Sequence, residues 1–434
     1  MQKRTPYGVK LSFSGDSLTH FGGVYLLQSF FKQLKFRRHL QRTLQFPQRN
    51  NQYAIAEEVL ALVYPIALGL ERIETTHLLK QNGVFQYLTG LPAYPNPTTL
   101  RRFLLRMAPL ALPKLRRLHE RLLSIMITKP HLPTKVIFDL DSTVLILYGR
   151  QEMARIGYNP KKRGRPSYHP LLCFNGITKD FWHGELRPGD AFTAAGVLNF
   201  LEASFGKVPS SVKRITIRAD KGFYDHKTIE YLESEKAFFA IVARLTRPIQ
   251  SKLSLLSYQT HASGIETAEF SYQPTGWAKE YRFVVIRRPI PEDPLEQLTL
   301  FSMGQYSYQV IITNLKLTPL NAWKFYNGRA AVELIIKELK GNYPLGKIPT
   351  KHFAANEAYF HILLFAYNLI NWFKRLCLSK EFQKMTLRTL RSRLLVIPGE
   401  LIRPENRPTL KLPENFPYKK EFESAIKKIQ KLKF

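Results

Sequence analysis

Two strand-forming runs and the segment after them limit the fold of this chain more than any other feature. Lys135-Val-Ile-Phe-Asp-Leu-Asp-Ser-Thr-Val-Leu-Ile-Leu147 is β-branched and apolar, the composition of a strand. Ser211-Val-Lys-Arg-Ile-Thr-Ile-Arg-Ala-Asp220 alternates cleanly and reads as a second strand. Phe223 to Glu235 then reads as a helix and Ala237 to Arg244 as a third strand. Strand, helix, strand is the pattern of an α/β layer.

Two acidic residues interrupt the first run. Asp139 and Asp141 lie two apart, so on a strand they point to the same face. Asp220 ends the second strand, where a side chain emerges at the sheet edge. A third carboxylate comes from Trp323-Lys-Phe-Tyr-Asn-Gly-Arg-Ala-Ala-Val-Glu-Leu-Ile-Ile-Lys-Glu-Leu-Lys340. Wound as a helix at about 100° per residue, Tyr326, Arg329, Glu333 and Lys340 fall within roughly 60° of one another. One face then carries a carboxylate between two cations and a phenol. A solvated ion-pair stripe gives the same spacing, as does a metal-binding Glu beside groups that grip phosphate. Gly328 is a weak point in this helix and Gly341 a stop. Two aspartates from neighbouring strands and Glu333 from a packed helix can converge on divalent metal. Their hard oxygen donors suit Mg²⁺.

Composition points the same way. Lys and Arg number 65 against 33 acids, a formal net charge of +32 on a chain that is 44% hydrophobic and 12% aromatic. Such a chain buries a core and calls for a polyanionic partner, nucleic acid above all. Cys173 and Cys377 are too few for a disulfide framework or a zinc cluster and fit a reducing compartment. The N-terminal residues lack the apolar core of a signal peptide. Tyr359 to Phe373 is too short to span a bilayer and reads as a buried core helix. A cytoplasmic protein, nucleoid-associated when on DNA, is the expectation.

The spacing Y-x2-R-x3-E-x6-K, with Asp141 in an Asp-Ser-Thr context and Asp220 in Arg-Ala-Asp220-Lys-Gly-Phe, resembles the bacterial insertion-sequence DDE transposases with a Y-R-E-K signature. Leu11-Ser-Phe-Ser-Gly-Asp-Ser-Leu-Thr19, Gly157-Tyr-Asn-Pro160, Tyr168-His-Pro-Leu-Leu172 and Leu186-Arg-Pro-Gly-Asp190 also look like one branch of them. The resemblance implies an RNase H-like mixed α/β core interrupted by a β-rich insertion and preceded by a helical DNA-binding domain. It implies catalytic, metal-binding Asp141, Asp220 and Glu333, with Asp139 the rival for the first position. It also implies two Mg²⁺ ions, replaceable by Mn²⁺, cut-and-paste transfer of element ends to target DNA, and a synaptic homodimer. Tyr326, Arg329 and Lys340 would contact phosphates near the cleaved end, and Lys337 shares their face. Trp277, in the insertion, would stack on a flipped base, though its place also suits an ordinary hairpin residue.

The domains expected are 1–130, helical and basic; 131–245, the core's first part; 246–317, the β-rich insertion; 318–385, the core's second part with the signature helix; and 386–434, a basic tail. Residues 1–130 hold 19 Lys and Arg against 6 acids. Within them Leu26–Leu40, Ala54–Leu70 and Thr98–Met126 show helical spacing. Asn96-Pro-Thr-Thr-Leu-Arg-Arg-Phe103 reads as a capped helix start exposing Arg101 and Arg102, and permits a helix-turn-helix reader. Arg163 and Arg165, in Lys161-Lys-Arg-Gly-Arg-Pro166, fit either a minor-groove hook or a solvated basic loop.

Two competing readings remain. Phe138-Asp-Leu-Asp-Ser-Thr-Val144 also matches the D-x-D-x-T opening of haloacid-dehalogenase-type phosphatases, with Asp139 as a covalent nucleophile. The net charge, the basic helical region and the Tyr326-to-Lys340 spacing stand against that. An inactive or domesticated DNA-binding descendant would carry the same sequence features.

Overall fold

The computed structural model describes residues 16–48, 52–129, 131–159, 162–262, 264–290, the backbone of 301–303, and 305–434. Leu11–Gly15, Pro160 and Lys161, which carry part of the motifs above, lie outside the described residues. Packing divides the chain into two units, 1–119 with 338–434, and 120–337.

The first unit is built from helices, among them Val24–Gln33, Phe36–Thr43, Ile55–Leu68 and Phe353–Cys377. The spacing from Leu26 to Leu40 predicts one helix, but Lys35 takes φ 53° and splits it in two. Phe353–Cys377 includes the apolar Tyr359–Phe373 run and is buried over most of its length against Ile55–Leu68 and Lys419–Lys431. Two of its buried polar residues, Asn368 and His361, find partners inside the unit. Asn368 donates to the ring of His119 at 2.7 Å and Arg116 donates to that of His361 at 3.0 Å. Among the described residues no helix is long and apolar enough to cross a membrane.

The second unit is organised by one ten-stranded sheet. Its strands, numbered in chain order, are β1 (Lys135–Ser142), β2 (Leu171–Asn175), β3 (Phe181–Glu185), β4 (Arg214–Ala219), β5 (Phe238–Val242), β6 (Gln259–Thr260), β7 (Glu266–Tyr272), β8 (Tyr281–Pro289), β9 (Phe301–Met303) and β10 (Tyr306–Thr313). The spatial order is β3-β2-β1-β4-β5-β10-β8-β7-β6, with β9 on β10. β1, β2 and β3 pair antiparallel, whereas β1, β4 and β5 run parallel. Parallel neighbours need a crossover, and the helix His226–Ser234 supplies it between β4 and β5. The strands of the 246–317 segment do not form a sheet of their own. β10 pairs antiparallel with β5, so the segment continues the sheet that carries the aspartates.

Alternation along β1 sorts its side chains. Val136, Phe138 and Leu140 are buried on one face, where Phe138 packs against Trp182 and Phe205 with ring centres 5.1 and 6.1 Å away. Asp139 and Asp141 take the other. After β10, Thr318 and Pro319 start helix α1 (Pro319–Asn327), and helix α2 (Ala330–Gly341) follows at once. α1 lays Ala322 and Tyr326 on an apolar cluster with Ala240, Val284, Ile286 and Ile311, which fixes it over β5, β8 and β10.

The Phe138→Ala substitution should lower stability by about 3–5 kcal/mol, because it empties a fully enclosed site between two aromatic rings. Urea unfolding followed by tryptophan fluorescence measures it. A loss below about 1 kcal/mol would show that the β1–β2–β3 layer is not packed as described.

Candidate active site

The parallel register of β1 and β4 creates two levels on one face of the sheet. Asp139 lies opposite Arg218, the last pair in the register. Two residues further along each chain, Asp141 and Asp220, the latter just past the end of β4, line one cavity, and each carboxylate feels the other's charge. The lower level is therefore an ion pair and the upper level a pair of like charges.

The lower level is closed. Arg218 donates from Nε and Nη2 to the two carboxylate oxygens of Asp139 at 2.6 and 2.8 Å, with side-chain exposures of 6% and 2%. Burial raises the proton affinity of Asp139, and Arg218 opposes that. A carboxylate held in this way is not presented to a ligand.

The upper level opens on a cavity of about 690 Å³ lined by Asp141, Asp220, Lys221, Tyr326, Arg329 and Glu333, among others. Asp141 accepts from the Ser142 amide at 2.8 Å. Asp220 caps the short turn Lys221–Phe223 by accepting from the Gly222 amide at 2.9 Å, which aims its carboxylate off the strand end. Arg329 sits in the break between α1 and α2. Its Nη2 lies 3.1 Å from Asp141, its Nη1 donates to Glu333 at 2.9 Å, and its Nε donates to the Leu140 carbonyl at 3.3 Å. One guanidinium thus separates the carboxylates of Asp141 and Glu333. Glu333 itself is 63% exposed, in the first turn of α2. Among the described residues no three acidic, His or Cys side chains already form a cage for an ion.

The electrostatics follow from this geometry. Burial pushes the Asp141 carboxyl up to about 7; Arg329 opposes the rise, and the charges of Asp220 and Glu333 add to it. Burial also pushes the Tyr326 phenol up to about 12, so it remains a hydrogen-bond donor. Arg329 is raised further despite the cost of burial, because Asp141, Tyr326, Asp220 and Glu333 all favour its charge.

The single helix expected over the signature is two helices. Gly328 and Arg329 leave the α-helical ladder, and the Arg329 amide donates to the Tyr326 carbonyl at 2.8 Å in a tighter turn. Tyr326 and Arg329 are thereby turned inward, 7% and 5% exposed, while Glu333, Lys337 and Lys340 are exposed along α2.

The remaining residues lie elsewhere. Arg163 and Arg165 are exposed in the loop before Ser167; Arg165 and Lys162 cover the ring of Tyr148 at 5.3 and 5.2 Å. Trp277 sits in the turn between β7 and β8, its ring centre 5.2 Å from those of Tyr224, His226 and Tyr281. In the first unit, Arg101 pairs with Glu74 and donates to the Pro349 carbonyl at 3.0 Å, whereas Arg102 is exposed. His169 is buried against the Ala191 carbonyl and the Ser142 hydroxyl, as befits a structural histidine. Two residues escape the sequence reading: Lys221, beside Asp220 on the cavity wall, and Arg218. The signal for Arg218 is its spacing, since Arg218-x-Asp220 repeats the period of Asp139-x-Asp141 on the neighbouring strand.

A family model described as "Transposase DDE domain group 1" matches residues 2–434. No curated protein matches. Among solved structures, the chain is similar to a piggyBac transposase seen by cryo-electron microscopy in a synaptic complex with hairpin DNA. Identity is 12%, the match covers 87% of this chain and 80% of that one, and the TM-score is 0.47.

The raised Asp141 carboxyl makes a pH-dependent contribution to stability. Folded, it keeps its proton up to about pH 7; unfolded, it releases it near the ordinary value of roughly 3.9. Its contribution is fully present below about pH 4 and is lost as pH rises through 7. Urea unfolding of the metal-free protein at pH 5 and pH 8 should therefore show a smaller fall for Asp141→Asn than for wild type. Identical falls would mean that Asp141 titrates normally.

Proposed function

The chain belongs to the DDE transposases, domain group 1, and on that premise we propose that Asp141, Asp220 and Glu333 are its three catalytic carboxylates. It is a DNA transposase, an enzyme that cuts DNA and transfers the cut strands, and its chemistry depends on divalent metal. The observation that carries the assignment is that Asp141 on β1, Asp220 at the end of the adjacent parallel β4 and Glu333 on α2 line one cavity, with Glu333 joined to Asp141 through Arg329. Asp139 is the weaker choice for the first position, because Arg218 already occupies both of its oxygens. The same pairing disfavours Asp139 as a phosphatase nucleophile. Strands β1–β3 running antiparallel and β1, β4 and β5 parallel support the RNase H-like reading of the core.

The donor set fits Mg²⁺, with Mn²⁺ as substitute: three carboxylates, no thiolate and no imidazole, around one open cavity. A pair of bound divalent ions would activate the attacking oxygen and stabilise the leaving one. The chain's own residues do the rest. Asp141 and Asp220, whose charges act on each other, would hold a divalent cation, and its charge would favour the ionised form of Asp141. Arg329, freed from one carboxylate, is placed to turn to a phosphate, and Tyr326 donates from the cavity wall. Exposed Lys337 and Lys340 meet the DNA backbone. Water then opens the phosphodiester at the element end, and the freed 3′-hydroxyl attacks target DNA in line. Arg163, Arg165, Arg101 and Arg102 are proposed as further backbone contacts. Trp277 is proposed as a platform for an unpaired base, with His226 already stacked on it at 26°. The active species is proposed to be a homodimer on paired element ends.

Nicking of an end-bearing duplex by wild type and by Asp141→Asn, Asp220→Asn and Glu333→Gln tests the triad. Each variant should lose more than the roughly 10–100-fold typical of an outer-shell partner, while duplex affinity persists. Wild-type rates in all three would end the assignment. Affinity should also fall linearly on a log–log plot against salt, with a slope of about −0.9 per phosphate contact. A flat salt response would refute backbone binding.

A further inference from the structure

We infer that Arg218 is a positioning residue that sets the separation of the three catalytic carboxylates. This rests on the triad proposed above. A single buried guanidinium ties together β1, β4 and the end of α1, the helix that leads into the one bearing Glu333. It belongs to β4, two residues before Asp220. It grips Asp139 on β1, two residues before Asp141, through two hydrogen bonds of 2.6 and 2.8 Å. Its remaining nitrogen, Nη1, donates at 2.8 Å to the Phe325 carbonyl at the end of α1, immediately before the turn that delivers Arg329 and Glu333. Its Cζ lies 5.2 Å from the centre of the Phe325 ring.

Two glycines are required by this contact rather than by backbone conformation. A Cβ on Gly328 would lie 2.0 Å from Nη1 of Arg218. A Cβ on Gly176 would lie 2.6 Å from Nη2 and 2.8 Å from Oδ2 of Asp139. Gly328 keeps an ordinary helical φ of −57°, so its lack of a side chain serves approach alone. The break between α1 and α2 is where the guanidinium seats.

A buried ion pair is weak evidence for stability, since well-packed apolar residues often do as well. What the pair contributes here is distance. The planar fork of arginine reaches two carboxylate oxygens and a carbonyl in fixed directions, whereas the single ammonium of lysine cannot span all three. Catalytic geometry is sensitive on this scale, and a misplacement of about 1 Å can cost on the order of 100-fold in rate.

Single-turnover nicking, duplex affinity and thermal unfolding are measured for Arg218→Lys, Gly328→Ala, the double variant and Asp139→Asn, with Asp141→Asn alongside. Arg218→Lys and Gly328→Ala should each nick about 100-fold more slowly, with affinity within about twofold of wild type and a folded baseline. The double variant should be no slower than the worse single, because both changes break one contact. Asp139→Asn keeps the shape of the pair and serves if the others do not fold; it should slow nicking while leaving affinity unchanged. Wild-type rates in Arg218→Lys and Gly328→Ala, losses that multiply in the double, or losses that only track the unfolded fraction would overturn the inference. If Asp141→Asn also nicks at the wild-type rate, the triad itself has failed. If it is inactive while the Arg218 and Gly328 variants are not, only the positioning role has.

Discussion

Two carboxylates one strand apart, on a face covered by helices, set the terms for the second unit. Left alone, Asp141 and Asp220 repel each other and pay for lost water. Arg329 answers part of that cost in the metal-free protein, held between Asp141 and Glu333 from the turn that joins α1 and α2. The need for positive charge at this point explains why an arginine buried to 5% exposure stands in the middle of a signature otherwise built on an amphipathic helix. In the proposed mechanism the same carboxylates would share the charge of bound divalent ions.

The sheet decides where that demand arises. Parallel pairing of β1 with β4 makes residues of equal rank meet, so a period of two on each strand becomes two stacked levels. Strands β10, β8 and β7 widen the sheet beyond β5 and give α1 an apolar floor, which holds Tyr326 at the cavity wall. A long insertion between Asp220 and Glu333 is thus compatible with their meeting, since its strands join the sheet instead of interrupting it.

Much of this was legible in the sequence. A β-branched, apolar composition gave β1, clean alternation gave β4 with Asp220 at its end, and the segment after the intervening helix gave β5. The opposed roles of Asp139 and Asp141 were not legible, because they depend on what stands across the strand pair. The spacing of Arg218 hints at its pairing with Asp139 but not at its full role: its partners, Asp139, Gly176, Phe325 and Gly328, are spread over nearly two hundred residues. The break at Gly328 belongs with it, since nothing in that segment reveals a guanidinium arriving from another strand. Likewise the pairing of β10 on β5 joins segments about seventy residues apart, beyond the reach of periodicity.

The two-level face also bears on how copies of such a gene decay. Truncation of the Asp139 or Arg218 side chain alone strands a charge in the interior and threatens folding. Mutation of Asp141 removes a repelled carboxylate and still leaves Arg329 paired with Glu333, so it costs the fold less. Selection for a folded chain therefore keeps guarding the lower level after selection for movement of the element has ceased. A silent descendant retained for its grip on DNA would keep Asp139, Gly176, Arg218 and Gly328 while Asp141 and Glu333 drift.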